Sequence, residues 1–382
     1  MANRGELLIR GGTVIDPANN FQGIQDILVQ GGEIAAIDPA TGTTAQQVVD
    51  ATGCYVFPGL IDYHTHLFQG GTHIGVHPDS ALLPQGVTTA VDQGSAGVAN
   101  FERFFDAVVV RSQVRIYCHL HVVPEGLRSL PEKPEAIEPG RFDSERTRAL
   151  FEKYAGRLLG LKIRQSREIV GELGLRPLQE TIRLAEAIDC PVVVHTTNPP
   201  AASGELAELL RSGDVFTHMY QGKGHPIVDD DGELDLGIRE ARARGVMFDT
   251  ADGRGHYSLA VAKSALAAGF APDIISTDLT SGNVFDPAVF GLPLIMAKYL
   301  ALEMPLFEVV KACTATPAAQ IGMVGRIGTL QPGAFADIAV FRLEDRTATF
   351  TDFAGESLTC RQLLIPQLTV CSGKVAYRSL QL

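Results

Sequence analysis

A chain of 382 residues that is 45% hydrophobic, with 39 glycines and 21 prolines, has the apolar material for a large core and many short turns. Its net charge of −12 argues against nucleic acid or an anionic membrane as a partner. It says nothing of the substrate, because charge inside a pocket can oppose the total.

Residues 6–57 read as short strands punctuated by glycine. Leu7-Leu8-Ile9-Arg10 runs into Gly11-Gly12, and Ile24-Gln25-Asp26-Ile27-Leu28-Val29 is followed by Gly31-Gly32, which are hairpin signals. The apolar run 55–61 then closes on Asp62-Tyr63-His64-Thr65-His66. In a strand His64 and His66 point to one side. Two imidazoles there suit a transition metal, or form a hydrogen-bonded pair in a polar pocket.

From residue 58 onward apolar runs alternate with helical stretches, the pattern of βα units. Eight runs stand out, at 60–66, 88–92, 115–121, 158–163, 192–195, 215–218, 246–249 and 274–278. The clearest amphipathic segment between them is 178–188, with Leu178, Ile182, Ala185 and Ile188 at helical spacing. Eight parallel strands with intervening helices close most economically into a (β/α)8 TIM barrel. An open doubly wound sheet is the other arrangement, but no glycine-rich dinucleotide fingerprint follows a strand. Helices are expected over 292–302 and 306–313, and after Gly325 the early β pattern returns. The expected organisation is an α/β barrel at 58–324 and a small β-sandwich domain built from 1–57 plus 325–382.

The cysteines at 54, 118, 190, 313, 360 and 371 form no CxxC pair, so buried free thiols of a reducing compartment are expected. The first residues lack the apolar core of a signal peptide, and no stretch is apolar enough to span a bilayer. A cytoplasmic location follows as an expectation, and the size is compatible with a homo-oligomer.

Ionisable residues gather at the ends of the runs, where a barrel places its chemistry. The first run ends in His64 and His66, the fourth carries Lys162, and the fifth, sixth and eighth end in His195, His218 and Asp278. Lys162 faces opposite to Leu161 and Ile163, toward the barrel interior. Burial beside ligand histidines and a metal would depress its pKa, and the neutral amine can take up carbon dioxide as a carbamate. An ordinary lysine paired with an acid such as Asp278 is the plainer reading.

This ordered set, with the stretches Phe57-Pro58-Gly59-Leu60-Ile61-Asp62-Tyr63-His64-Thr65-His66, Gly86-Val87-Thr88-Thr89, Leu161-Lys162-Ile163-Arg164, Thr217-His218-Met219-Tyr220 and Ser276-Thr277-Asp278, resembles the amidohydrolase superfamily. More narrowly it resembles the dihydroorotase-like amidohydrolase/deacetylase branch, over essentially the whole chain. The resemblance implies two divalent ions, Zn²⁺ by ligand preference. His64, His66 and Asp278 would hold the more buried ion and His195 and His218 the exposed one. N6-carboxylated Lys162 would bridge them together with a hydroxide. It implies hydrolysis of an amide or ester by metal-activated hydroxide, with Asp278 as general base and acid.

His119-Leu120-His121 is a second HxH, open between pocket lining, core and outlying ligand. His73 and His77 lie in the loop after the first run, either closing over the pocket or capping the loop. Arg164, Tyr220, Lys223, Arg254 and His256 follow strand ends and are the candidate substrate contacts, suggesting a small substrate with a carboxylate. No phosphate-cradling GKS or GKT run and no Gly-x-Ser-x-Gly elbow is present. The expected function is therefore a deacetylase-like metallohydrolase of a small acylated carboxylate. A dihydroorotase-like cyclic amidohydrolase and a non-catalytic metal-binding scaffold are the alternatives.

Overall fold

The computed structural model describes residues 5–130 and 132–382. The first five strands are β1 (Gly5–Asp16), β2 (Phe21–Gln30), β3 (Glu33–Ile37), β4 (Ala45–Asp50) and β5 (Tyr55–Pro58). Seven more follow: β6 (Leu60–Thr65), β7 (Val87–Gly97), β8 (Arg115–His121), β9 (Leu158–Arg164), β10 (Val192–His195), β11 (Val215–Thr217) and β12 (Met247–Asp249). The last are β13 (Ile338–Glu344), β14 (Ala348–Thr351), β15 (Ser357–Cys360), β16 (Leu363–Cys371) and β17 (Lys374–Arg378).

Strands β6 to β12 form one parallel sheet in which each strand lies beside its sequence neighbours. Every residue of β6 and β7 is buried, as a parallel sheet covered on both faces requires. Helices cover its outside. In Arg176–Ile188, Leu178, Ile182 and Ala185 are the buried stripe, Pro177 sits in the first turn, and Asp189 at φ 54° ends it. Helices at Leu259–Ala267, Leu292–Ala301 and Leu306–Ala312 follow the expected ranges closely.

The eighth expected strand is different. Residues 274–279 make no regular ladder, only single parallel bridges from Ile274 to Asp249 and from Leu279 to Thr65. Backbone bonds nevertheless reach both edges of the sheet: Thr250 N–H donates to Ile274 O at 3.0 Å, and His66 N–H to Leu279 O at 2.9 Å. Asp62 and the left-handed Asp278, φ 54°, both interrupt the ladder. The Asp62 carboxylate accepts the Thr277 backbone N–H at 3.1 Å and the Thr277 hydroxyl at 2.6 Å, taking the place of a strand carbonyl. The segment is a seam joining β12 to β6.

The two chain ends share a single eight-stranded sheet, ordered β17-β16-β13-β5-β1-β2-β3 with β4 on β1. Antiparallel pairing of β13 with β5 joins late strand to early strand, Val340 opposite Val56. Ile9, Val14, Ile27, Val56, Ile338, Val340 and Leu368 converge on one core. The pairings give one sheet of mixed origin and do not by themselves establish the two facing sheets of a sandwich. β14 and β15 form a separate hairpin. It rests on the helix Leu292–Ala301, where Cys360 Sγ lies 3.4 Å from Ala297 O, and on the start of Leu259–Ala267, where Asp352 accepts the Leu259 N–H at 2.8 Å. All six cysteines are free and buried. Among the described residues no helix is long and apolar enough to cross a membrane.

Candidate metal centre

His64 lies in β6 and His66 just past its end, and both rings turn toward Asp278. His64 Nδ1 lies 3.1 Å from Thr217 Oγ1 and 3.3 Å from Asp249 Oδ2. Asp249 is in turn held by the hydroxyls of Thr217 and Ser276, at 2.5 and 2.6 Å. His66 Nδ1 lies 3.1 Å from Ser95 Oγ. His218 Nδ1 donates to the Ala251 carbonyl at 2.7 Å, and its Nε2 has no partner although buried. Each ring therefore has Nδ1 engaged by an oxygen and Nε2 turned inward, the arrangement by which outer groups fix the tautomer of a ligating imidazole.

The inward atoms converge. Nε2 of His64 and of His66 lie 3.5 and 3.2 Å from Asp278 Oδ1. Candidate ligand atoms of His64, His66 and Asp278 all fall within 4.8 Å of one another, as do those of His195, His218 and His256. The two groups adjoin, with the rings of His64 and His218 centred 5.2 Å apart and His256 Nε2 lying 3.7 Å from Asp278 Oδ2. Lys162 Nζ sits 3.4 Å from His64 Nε2. His218 and Asp278 both adopt left-handed backbone, φ 65° and 54°, which costs energy for a non-glycine residue and is tolerated here where two donors must face one space. Two glycines make room. A Cβ on Gly94 would come within 2.8 Å of the Lys162 side chain, and one on Gly253 within 2.7 Å of both Asp278 and His256.

The electrostatics agree with a donor set. Burial, then the Lys162 charge, holds His64 well below its ordinary pKa. Burial and the neighbouring imidazoles do the same to His195 and His218. These rings are neutral and able to donate a lone pair. Burial pushes the Lys162 amine down to about 7, although Asp278 and Asp249 pull the other way. Burial opposes ionisation of Asp278, but the His66 contact and nearby imidazoles outweigh it and hold the carboxyl at about 2. Neutral imidazoles with free Nε2 atoms beside an ionised carboxylate fit a divalent metal.

A cavity of about 150 Å³ opens over these groups, lined by His64, His66, Lys162, Arg164, His195, His256 and Asp278, with Ile74, Leu127, Leu130 and Thr280. Of the candidate substrate contacts it receives Arg164 and His256. Arg164 donates to Glu135 at 2.8 Å, and His256 joins the second donor group, its Nδ1 2.8 Å from Thr197 Oγ1. Tyr220 is not brought there: it is fully buried and its hydroxyl donates to the Phe270 carbonyl at 3.0 Å, because the chain turns inward after His218. Lys223 stands over the Phe353 ring at 5.0 Å, and Arg254 borders a separate small pocket with Phe350 and Asp352. Both belong with the β14–β15 hairpin and not with the cavity.

His121 is buried, accepts the Val123 N–H at 3.1 Å and turns Nε2 to within 3.5 Å of Glu135. His119 is fully buried with neither nitrogen hydrogen-bonded. Neither enters the donor groups. His77 caps the helix Pro78–Leu82, and the His73 carbonyl accepts the Ser281 hydroxyl at 2.8 Å. The sequence patterns assign no role to Asp249, Thr217, Ser95 or Glu135. Asp249 was legible as the end of the seventh run, whereas Glu135 lies in a long loop with no periodic signal.

Comparison with known proteins decides the kinship. The amidohydrolase family model matches residues 47–101 and 142–377. The chain belongs to the amidohydrolase family. This amidohydrolase is 36% identical to a deacetylase of Agrobacterium fabrum over 92% of its own length and 87% of that protein. Among solved structures it superposes on a dihydroorotase with a TM-score of 0.88 and 32% identity, covering 98% of both chains. An adenine deaminase gives a TM-score of 0.90 at 26% identity, over 98% of this chain and 100% of the other. The amidohydrolase is a hydrolase, and its histidines and aspartate gather into two groups that could hold a metal ion.

Proposed function

We propose that this amidohydrolase removes an acyl group, most simply acetyl, from the nitrogen or oxygen of a small carboxylate-bearing molecule, using two divalent ions. The observation that carries this reading is the pair of adjoining donor groups, His64/His66/Asp278 and His195/His218/His256, with the Lys162 amine beside the first. Zn²⁺ suits imidazole and carboxylate donors. Lys162 contacts the His64 imidazole and not an acid, so its amine is free to bond carbon dioxide, losing a proton and becoming an anionic carbamate beside the first group. Ions held there supply Lewis acidity toward the substrate carbonyl and toward water.

The chain's own residues supply the rest. Asp278 accepts the proton of the attacking water and returns it to the leaving nitrogen or oxygen. Leu127, Leu130 and Ile74 keep bulk water from the reacting carbonyl. Arg164 gives one hydrogen bond to Glu135, and a guanidinium has further N–H donors for a substrate carboxylate. A cavity of about 150 Å³ over the donor groups suits a small-molecule substrate. The deacetylase relative favours an open-chain acyl group, and the likeness to a dihydroorotase structure favours a cyclic amide as second reading. In domain terms, the proposal places the barrel at 58–324 and a composite β-sandwich domain at 1–57 plus 325–382, in a cytoplasmic enzyme.

The test is metal content per chain with intact mass under non-denaturing conditions, followed by assay of N-acetyl amino acids, O-acetyl hydroxy acids and cyclic amides. Two ions, one added carbon dioxide and turnover of an acetylated acid support the proposal. Turnover of cyclic amides alone favours the second reading. Full metal occupancy without turnover of any class leaves a metal-binding scaffold.

A further inference from the structure

The turn at 251–256 touches the second donor group in three ways. The Ala251 carbonyl orients His218, Gly253 packs against Asp278 and His256, and His256 is itself a donor. The backbone is strained at Ala251, left-handed at φ 39°, while Gly253 takes φ 52° without that cost. Its amides bond back to the seam, Asp252 N–H to Ser276 O at 3.3 Å and Gly253 N–H to Thr277 O at 3.0 Å. Such a turn keeps its shape only if something outside it holds it.

The holding group is Asp252, whose side chain points away from the cavity into a closed polar nest. Lys298 Nζ lies 2.6 Å from Asp252 Oδ2, and Tyr299 donates to Oδ1 at 2.9 Å. Asp252 and Tyr299 are fully buried and Lys298 is 3% exposed. The Lys298 ammonium also stands 4.0 Å from the Tyr257 ring centre and 4.9 Å from that of Phe350. A buried ion pair of this kind contributes little net stability compared with apolar packing, and its attested use is to fix one arrangement over others. Both oxygens of Asp252 are satisfied, so its position is determined, and the neighbouring Ala251 carbonyl is determined with it.

We propose that the Asp252–Lys298 pair, with Tyr299, is a positioning element for the second metal, acting through the 251–256 turn on His218 and His256. The inference rests on the two-ion reading above. None of the three residues touches substrate or a donor atom. They set where the Ala251 carbonyl and the His256 ring lie.

The test is titration of metal-depleted protein with Co²⁺, followed by the visible absorption of the bound ion and by calorimetry. Wild type is expected to fill two sites. Asp252→Asn and Lys298→Gln are expected to weaken the second equivalent at least tenfold and to leave the first within twofold. Lys298→Arg is expected to restore the second. Lys263→Gln, which removes the exposed pair with Glu356, serves as the control and changes neither. Equal weakening of both equivalents, or no weakening in a folded variant, overturns the proposal. If Asp252→Asn does not fold, Tyr299→Phe removes one hydroxyl donor and is read in the same way. Wild-type protein that fills only one site overturns the two-ion reading itself, before any variant is compared.

Discussion

Lys162 Nζ stands 3.4 Å from His64 Nε2, and neither residue is more than 1% exposed. An ammonium in that place is repelled by any ion that His64 holds, whereas a carbamate is attracted. Lys162→Ala is therefore expected to lower turnover roughly 100-fold or more and to weaken metal retention. Added acetate, which can enter the vacated space as a substitute carboxylate, is expected to restore part of it. Steady-state assays with and without acetate check this, and full activity of the unsupplemented variant would remove the lysine from the mechanism.

In the proposed mechanism Asp278 serves both as donor and as proton carrier. Asp278→Asn is expected to reduce kcat about 10²- to 10⁴-fold while the protein keeps at least one ion. Metal analysis beside the kinetics separates the two roles. Unimpaired turnover would falsify the proton-transfer assignment.

His66 and its supporting hydroxyl should differ in degree. His66→Ala removes a donor and is expected to lose the ion of the first group together with activity. Ser95→Ala removes only the oxygen beside Nδ1 and is expected to cost about 10–100-fold in metal affinity. Similar losses in both variants would show that Ser95 does more than orient the ring.

Acid should unfold the metal-free protein steeply. Burial, then the Lys162 charge, pushes His119 down to about 3 from 6.5. Between those values the unfolded chain binds the proton that the folded one refuses, so the stabilising term is complete above about pH 6.5 and is lost as pH falls toward about 3. Each such histidine adds a slope of about 1.4 kcal/mol per pH unit, and His64, His195 and His218 act in the same direction. His119→Leu is expected to reduce the slope by about one proton and to leave neutral-pH stability unchanged or higher, because leucine has no unpaired nitrogen to bury. Urea midpoints across the acid range decide it, and a slope equal to wild type counts against the assignment.

Arg164 is the cation of the cavity wall. Arg164→Met is expected to raise KM at least tenfold for acylated amino acids, with a smaller effect on uncharged acyl compounds. Arg164→Lys should recover little, since an ammonium lacks the planar fork. Equal effects on charged and uncharged substrates would mean that its bond to Glu135 matters more than any bond to substrate.

The donor set was legible because strand periodicity and barrel geometry together point one residue of each run at the same rim. His64, His66, Lys162, His195, His218 and Asp278 follow from that rule and from the family resemblance, and they lie around one space. Tyr220 fails because the rule ends with the strand: two residues past His218 the chain has turned and the ring faces the core. His256 came into view as a substrate contact, but only the fold of its glycine-rich turn places it among the donors. The seam at 274–279 looks like a strand in sequence, and the Asp62–Thr277 bonds and the left-handed Asp278 that interrupt its ladder have no signal there. Glu135 reaches His121 and Arg164 through a long loop, a meeting that no local pattern encodes.

The β14–β15 hairpin gives the molecule an order of completion. Its Phe350 closes over Lys298, and its Asp352 fixes the Leu259 amide just beyond the turn that bears His256. Nearly a hundred positions of chain separate that turn from the hairpin that braces it. During synthesis the barrel strands and the first donor group can assemble well before residues 348–360 have emerged. The residues of the first donor group therefore leave the ribosome before the hairpin that packs against Lys298.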